Sequence, residues 1–245
     1  MSGVGMSGRR ALVTGASSGI GAATADLLAA AGCELVLVGR DEARLAAVAD
    51  RTRAGAVVAD LATEAGRERV ASAGRRVDLL VNNAGTGWAG ELGRMRPEEV
   101  TALVEANLTA PAQLTRSLLP SLRRNPGGAV VFVASIAAVG VQQEAVYSAT
   151  KAGLRAFAAS LRRETGLGVT TVLPGAVRTP FFEGRGRPYD RAFPRQVPPE
   201  RVARALVRGV ERSRAEVFVP GWLSLAARLQ GAVPELFDLG ARRFG

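Results

Sequence analysis

Apolar residues gather in seven short runs along this chain, at 11–14, 34–38, 56–59, 77–81, 128–134, 169–173 and 217–219. Within each run they are nearly continuous. A strand with one wet face alternates apolar and polar residues, whereas a strand covered on both faces does not. Between the runs the spacing becomes helical, at 20–31, 41–50, 97–108, 111–123 and 145–165. Asp41 stands where it would cap the second of these helices. Pro111 marks a break between the third and fourth. Strands alternating with helices imply βαβ units and a parallel sheet covered on both sides. No repeat, linker or low-complexity block divides the chain. The expectation is one α/β domain over 9–245, a doubly wound parallel β-sheet in three layers, after a Gly/Ser-rich flexible tail at 1–8. In such sheets ligands bind beyond the carboxyl ends of the strands.

Composition narrows the picture. A chain of 245 residues suits one domain with a large core. Aromatic residues are few, at 5%; alanine and glycine are many, as close packing of helices on a sheet would use them. The formal charge is +10 with no histidine. The densest arginine groups are only pairs, such as Arg123-Arg124 and Arg162-Arg163, and no nucleic-acid motif accompanies them. A solvated arginine-rich surface is expected, with an anionic ligand as the sharper alternative and no nucleic-acid partner. Cys33 is the lone cysteine. It cannot form an intrachain disulfide, and one cysteine without histidine argues against a zinc or other metal site. The first residues lack an apolar signal core, and no apolar run reaches the roughly 18 residues of a membrane span. A cytoplasmic location follows as the expectation.

Three stretches carry chemistry. The first run ends in T-G-A-S-S-G-I-G, residues 14–21. Gly15 permits a tight turn, Gly19 lets backbone approach a pyrophosphate, and Gly21 lets a helix pack closely on the sheet. The helix start then presents free N–H groups to phosphate. Such a turn, between a strand and a small-residue helix, reads as a dinucleotide site. Gly39-Arg40 stands at the end of the second strand, where an acidic residue would select against a 2′-phosphate. Arginine can pair with that phosphate, so NADP(H) is favoured and NAD(H) remains possible. The third stretch, V-Y-S-A-T-K, holds the chain's only lysine, Lys151. Tyr147 and Lys151 share a helix face. An ammonium near the phenol would lower its pKa toward neutrality and make Tyr147 a general acid/base. Ser135, just past the fifth run, is placed to hydrogen-bond a carbonyl oxygen.

Together these residues resemble the short-chain dehydrogenase/reductase family over about residues 9–180, and the resemblance implies a Rossmann-type fold. It also implies that Asn107, Ser135, Tyr147 and Lys151 are catalytic, with Asn107 holding a water in a proton relay. The cofactor contacts it implies come from Thr14, Gly15, Ser17, Ser18, Gly19, Ile20, Gly21, Arg40, Asp60, Leu61, Asn83, Ala84, Gly85, Pro174, Gly175, Val177 and Thr179, with Tyr147 and Lys151. Asp60 is similar to the adenine contact, N-N-A-G (82–85) to the motif steadying the central strand, and Pro174 to Thr179 to the segment binding the nicotinamide amide. The family often forms dimers or tetramers, through helices around 100–123 and 145–165 here. Two features depart from its pattern. The Ser135–Tyr147 interval looks one residue short, and A-E-V-F-V-P-G-W with about 24 further residues replaces the usual ending of the bacterial 3-oxoacyl-carrier-protein reductases.

On the substrate side, 180–199 should form a loop in which Phe181, Phe182, Tyr189 and Phe193 line an apolar pocket. Its arginines, Arg185, Arg187, Arg191 and Arg195, would face either an anionic handle or water. The extension at 222–245 suggests one or two amphipathic helices split at Pro234. Packing on protein is the favoured use of the extension and peripheral membrane contact the alternative. The expected activity is NADP(H)-dependent interconversion of a carbonyl and a secondary alcohol on an apolar small molecule. The alternatives are reduction of carrier-bound or CoA-bound 3-oxoacyl chains, and a dinucleotide-binding regulator without catalysis.

Overall fold

The computed structural model describes residues 5–190 and 194–235. Seven strands run parallel: β1 (Arg10–Thr14), β2 (Glu34–Gly39), β3 (Gly55–Val58), β4 (Leu79–Asn82), β5 (Ala129–Val133), β6 (Gly168–Pro174) and β7 (Glu216–Val219). They lie in the order β3-β2-β1-β4-β5-β6-β7. The chain therefore builds outward from β1 to β3, then returns to the other side of β1 with β4. This reversal opens a crevice at the carboxyl ends of β1 and β4.

The continuous apolar runs follow from the layering. One face of the sheet carries α1 (Gly19–Ala30), α2 (Glu42–Thr52) and α7 (Pro199–Glu211). The other carries α3 (Glu64–Ala73), α5 (Ala110–Arg124) and α6 (Ala145–Thr165). Successive side chains of a strand point to opposite faces. Ala11 and Val13 accordingly join the first core while Leu12 joins the second, and Val131 and Phe132 divide in the same way. Phe132 meets Phe157 of α6 edge-on, with ring centroids 5.6 Å apart. Burying one such side chain contributes about 1.5–3 kcal/mol.

Several boundaries differ from expectation. The third and fourth helices are not broken at Pro111. α4 (Pro97–Val104) passes through a π-helical turn, Glu105–Thr109, directly into α5. Pro111 sits in the first turn of α5, directly after the π-helical turn, where the altered hydrogen-bond ladder accommodates its missing N–H. Two helices were not read from the pattern. α3 buries only Gly66 and Val70, too thin a stripe to announce itself. α7 buries Val202, Ala203, Leu206, Gly209 and Val210, a clear helical spacing after Pro198-Pro199 that the loop-like residues before it obscured. Asp41 does cap α2, accepting from the Arg44 N–H at 3.0 Å. Near the start, Met6 is buried and the Gly8 N–H donates to Gly32 O at 2.9 Å. The extension forms α8 (Leu223–Ala232), and any second helix after Pro234 lies outside the described residues. Among the described residues no helix is long and apolar enough to cross a membrane.

Candidate active site

The crevice is assembled mainly by backbone. Gly15 and Gly19 hold φ of +64° and +56°, in the left-handed region open to glycine. A Cβ on Gly21 would lie 2.2 Å from Gly15 O, so only glycine lets α1 start this close to the turn. Ser18 precedes α1 in extended conformation with its hydroxyl uncommitted to a cap, and no acidic residue stands in the first turn. The helix start is thus an unblocked set of N–H donors.

The strand end is knitted to this turn. The Thr14 hydroxyl donates to Val81 O at 3.2 Å and accepts from the N–H groups of Asn83 and Ala84, each at 3.0 Å. Asn83 Nδ2 donates to Thr14 O at 2.9 Å and to Gly15 O at 3.2 Å. The far wall comes from β6: beyond Pro174-Gly175, Val177 pairs with Val197, and Thr179 lies against Gly19. At the other end of the crevice Arg40 is exposed after β2, while Asp41 is engaged by Arg44 at 2.7 Å. Asp60 accepts from the Ala62 N–H at 3.0 Å, with Leu61 beside it. Ser17 packs against Gly39, and Ile20 against the first core.

The polar residues meet at the end of β5. Ser135, two residues beyond it, accepts from the Ala137 N–H at 3.0 Å and hydrogen-bonds the Tyr147 phenol. Tyr147 is 8% exposed and Lys151 4%. The expectation for the pair needs correction. Lys151 Nζ donates to Val133 O at 3.1 Å and stands 5.7 Å from the Tyr147 ring centroid. Turned to that carbonyl, the ammonium does not pull the phenol toward neutrality. Burial pushes the phenol well above its ordinary value; the Ser135 bond opposes this, Glu144 adds to it and Arg185 opposes it. Burial lowers Lys151 to about 8.

Asn107 lies in the π-helical turn, an irregularity that re-aims a side chain. Its Oδ1 accepts from the Thr86 N–H at 2.9 Å; its Nδ2 donates to Thr86 O at 2.9 Å and to the Thr150 hydroxyl at 3.2 Å. It thereby straps the segment after β4 to α6. A Cβ on Gly85 would fall 2.9 Å from Asn107 Oδ1 and 3.4 Å from Lys151 Nζ. Glycine there leaves both polar groups room beside the crevice.

Aromatic residues roof this corner. Phe181 packs on Tyr147 at 5.7 Å between centroids, Phe182 on Phe181 at 5.6 Å, and Tyr189 on Phe182 at 5.0 Å. Trp88 joins the same cluster with Met95 and Leu103. Phe193 and Arg191 lie outside the described residues. Arg185 faces neither water nor a free handle: it is buried and paired with Glu144 at 2.6 Å. Glu144 was not singled out from the sequence, where nothing distinguishes it from a surface carboxylate.

A buried, protonated phenol beside a serine hydroxyl and a lysine, at the mouth of a glycine-lined crevice, can exchange a proton with an oxygen-bearing ligand. The fold and this set of residues define an α/β oxidoreductase. The chain belongs to the short-chain dehydrogenases, whose family model matches residues 9–189. It is 35% identical to an uncharacterized oxidoreductase of Myxococcus xanthus (strain DK1622), over 97% of this chain and 98% of that protein. A short-chain dehydrogenase from Sphingobium yanoikuyae in complex with NADPH superposes with a TM-score of 0.83 at 31% identity, covering 91% of this chain and 94% of that one. A bulky-bulky ketone specific alcohol dehydrogenase from Comamonas testosteroni superposes at 0.78 with 28% identity, covering 93% and 94%.

Proposed function

We propose that this oxidoreductase uses NADP(H) to interconvert a carbonyl and a secondary alcohol on an apolar small molecule, with Tyr147 as general acid/base. The observation carrying this reading is the convergence of Ser135, Tyr147 and Lys151 beside a crevice that fits a dinucleotide. The fit rests on the left-handed Gly15 and Gly19, the crowding at Gly21, and the uncapped start of α1. Gly15, Ser17, Ser18 and Gly19 would hold the pyrophosphate, Arg40 the 2′-phosphate, and Asp60 with Leu61 the adenine. Asn83, Ala84 and Gly85 would line the ribose side, and Pro174, Gly175, Val177 and Thr179 the nicotinamide side. When bound, the nicotinamide supplies or accepts hydride at the substrate carbon. NADPH in the Sphingobium relative and ketone specificity in the Comamonas relative agree with this assignment.

The chain's own residues manage the proton. The Ser135 hydroxyl donates to the substrate oxygen and polarises the carbonyl. Burial keeps the Tyr147 phenol protonated, so it stands ready to donate to the oxygen as negative charge develops. Lys151 would hold the ribose hydroxyls, and Asn107 would hold the water linking Lys151 to solvent. Phe181 and Trp88 exclude bulk water from this transfer. The test is NADPH absorbance decay against ketones, aldehydes and acyl thioesters. Turnover of simple ketones supports the proposal; turnover of thioesters alone would move it to acyl reduction, and cofactor binding without turnover of any of them to a regulator.

A further inference from the structure

Glu144 and Arg185 lie 41 residues apart in the chain and form a buried ion pair at 2.6 Å. Their side chains are 11% and 7% exposed. Glu144 is the residue before α6 and sits three residues ahead of Tyr147, yet its side chain makes no capping bond. The carboxylate is given to Arg185 instead. Arg185 is held by Arg187 O at 2.9 Å, and its guanidinium lies 4.7 Å over the Phe182 ring. Phe182 contacts Phe181, and Phe181 contacts Tyr147. The contacts therefore close a ring, from Tyr147 through two phenylalanines to Arg185, Glu144 and back along the first turn of α6. The Arg185 carbonyl accepts from the Ala89 N–H at 3.1 Å, tying the segment after β4 to the same ring.

A buried ion pair removes two charges from water and rarely repays that cost in stability. Its placement beside Tyr147 points to another use. We infer that Glu144 and Arg185 are a charge couple that positions the roof of the site and poises Tyr147 for proton transfer. This inference rests on the role proposed for Tyr147. Among the described residues, the charged and polar groups that act on the phenol are Ser135 from the end of β5, Glu144 before α6 and Arg185 from the loop, and Lys151 Nζ, one turn along α6, stands 5.7 Å from the ring centroid. Tyr147 shares an apolar cluster with Met95, Leu103 and Ala137, and Trp88, Val100, Val141, Val146 and Phe181 pack against it. Glu144 holds the phenol's proton more tightly, and Arg185 loosens it. In a low-dielectric pocket each charge acts strongly, so the pair balances two opposing influences on one proton.

The sign of that balance separates an electrostatic role from a structural one. Glu144→Gln keeps a hydrogen-bond acceptor for Arg185 but removes the negative charge. Arg185→Gln keeps a donor but removes the positive charge. Protein labelled with 13C at the tyrosine Cζ reports ionisation directly; of the chain's two tyrosines, Tyr147 is assigned by the signal lost in Tyr147→Phe. Glu144→Gln should titrate earlier than the wild type by about one pH unit. Arg185→Gln should titrate no earlier than the wild type, and the double variant should fall between the two. The pH dependence of kcat/KM for ketone reduction should move in the same sense. The thermal midpoint of each variant, with the double variant as a neutral pair of similar shape, separates loss of charge from loss of fold. Tyrosine signals that move the same way in both single variants, or in neither, would overturn the inference. The resonance needs no turnover, so a couple that fails in an active reductase stays distinct from a couple that holds in an inactive protein.

Discussion

The two walls of the site are built by different physics. The wall proposed to hold the cofactor, from Thr14 to Gly21 and from Asn82 to Gly85, is a backbone construction. Its shape depends on positive φ, on missing Cβ atoms and on hydrogen bonds accepted by the Thr14 hydroxyl and donated by the Asn83 amide. The roof, from Phe181 to Tyr189, is a side-chain construction. It holds by ring contacts and a buried ion pair between segments distant in the chain. Backbone geometry tolerates few substitutions, whereas side-chain packing can be exchanged piece by piece. Such a division suits an enzyme whose cofactor wall is rigid and whose substrate wall can be retuned.

The largest effect should come from the rigid wall. Gly21→Ala forces a Cβ into Gly15 O, and relief requires moving backbone. We expect a loss of about 3 kcal/mol, roughly a hundredfold in NADPH affinity by calorimetry. An affinity unchanged by this substitution would break the comparison.

Next in size is Lys151, where function costs stability. Its folded pKa, lowered by burial to about 8, lies below the ordinary 10.5. The folded state releases this proton first, so stability should rise as pH climbs from about 8 toward 10. Below pH 8 the burden is constant, roughly 3 kcal/mol. Lys151→Met should remove it. Unfolding by denaturant should show the variant ahead of the wild type at neutral pH, with the gap narrowing above pH 8. Taking the difference between the two proteins isolates the lysine from Tyr147 and Cys33, whose raised pKa values act in the opposite direction at alkaline pH.

Arg40 stands at the exposed end of the rigid wall. Arg40→Ala should lower the preference for NADPH over NADH about tenfold, read as the ratio of kcat/KM values. The smallest effect belongs to the roof. At Gly87 an added Cβ would meet the Phe181 ring at 2.6 Å and Arg185 Cβ at 3.1 Å, side-chain atoms rather than backbone. Gly87→Ala should change KM for bulky ketones a few-fold, with cofactor affinity untouched.

The same division explains what could be read from the sequence. The sheet was legible because burial on both faces writes an apolar run, as in Ala11 to Val13. The glycine turn was legible because its requirement is local. Tyr147 and Lys151 were legible as a helical pair, but the direction of the Lys151 ammonium was not, because Val133 O lies 18 residues away. The π-helical turn has no compositional signature, and Pro111 suggested a break that its place in the first turn of α5 does not make. Glu144 and Arg185 have meaning only once the loop folds back over α6.

The central claim is that Tyr147 performs the proton transfer. The direct measurement is NADPH oxidation with a reducible ketone, comparing the wild type with Tyr147→Phe at matched cofactor saturation. Tyr147→Phe should lose about 10²–10⁴ in kcat while still binding NADPH. A variant that turns over the ketone at the wild-type rate would contradict the account.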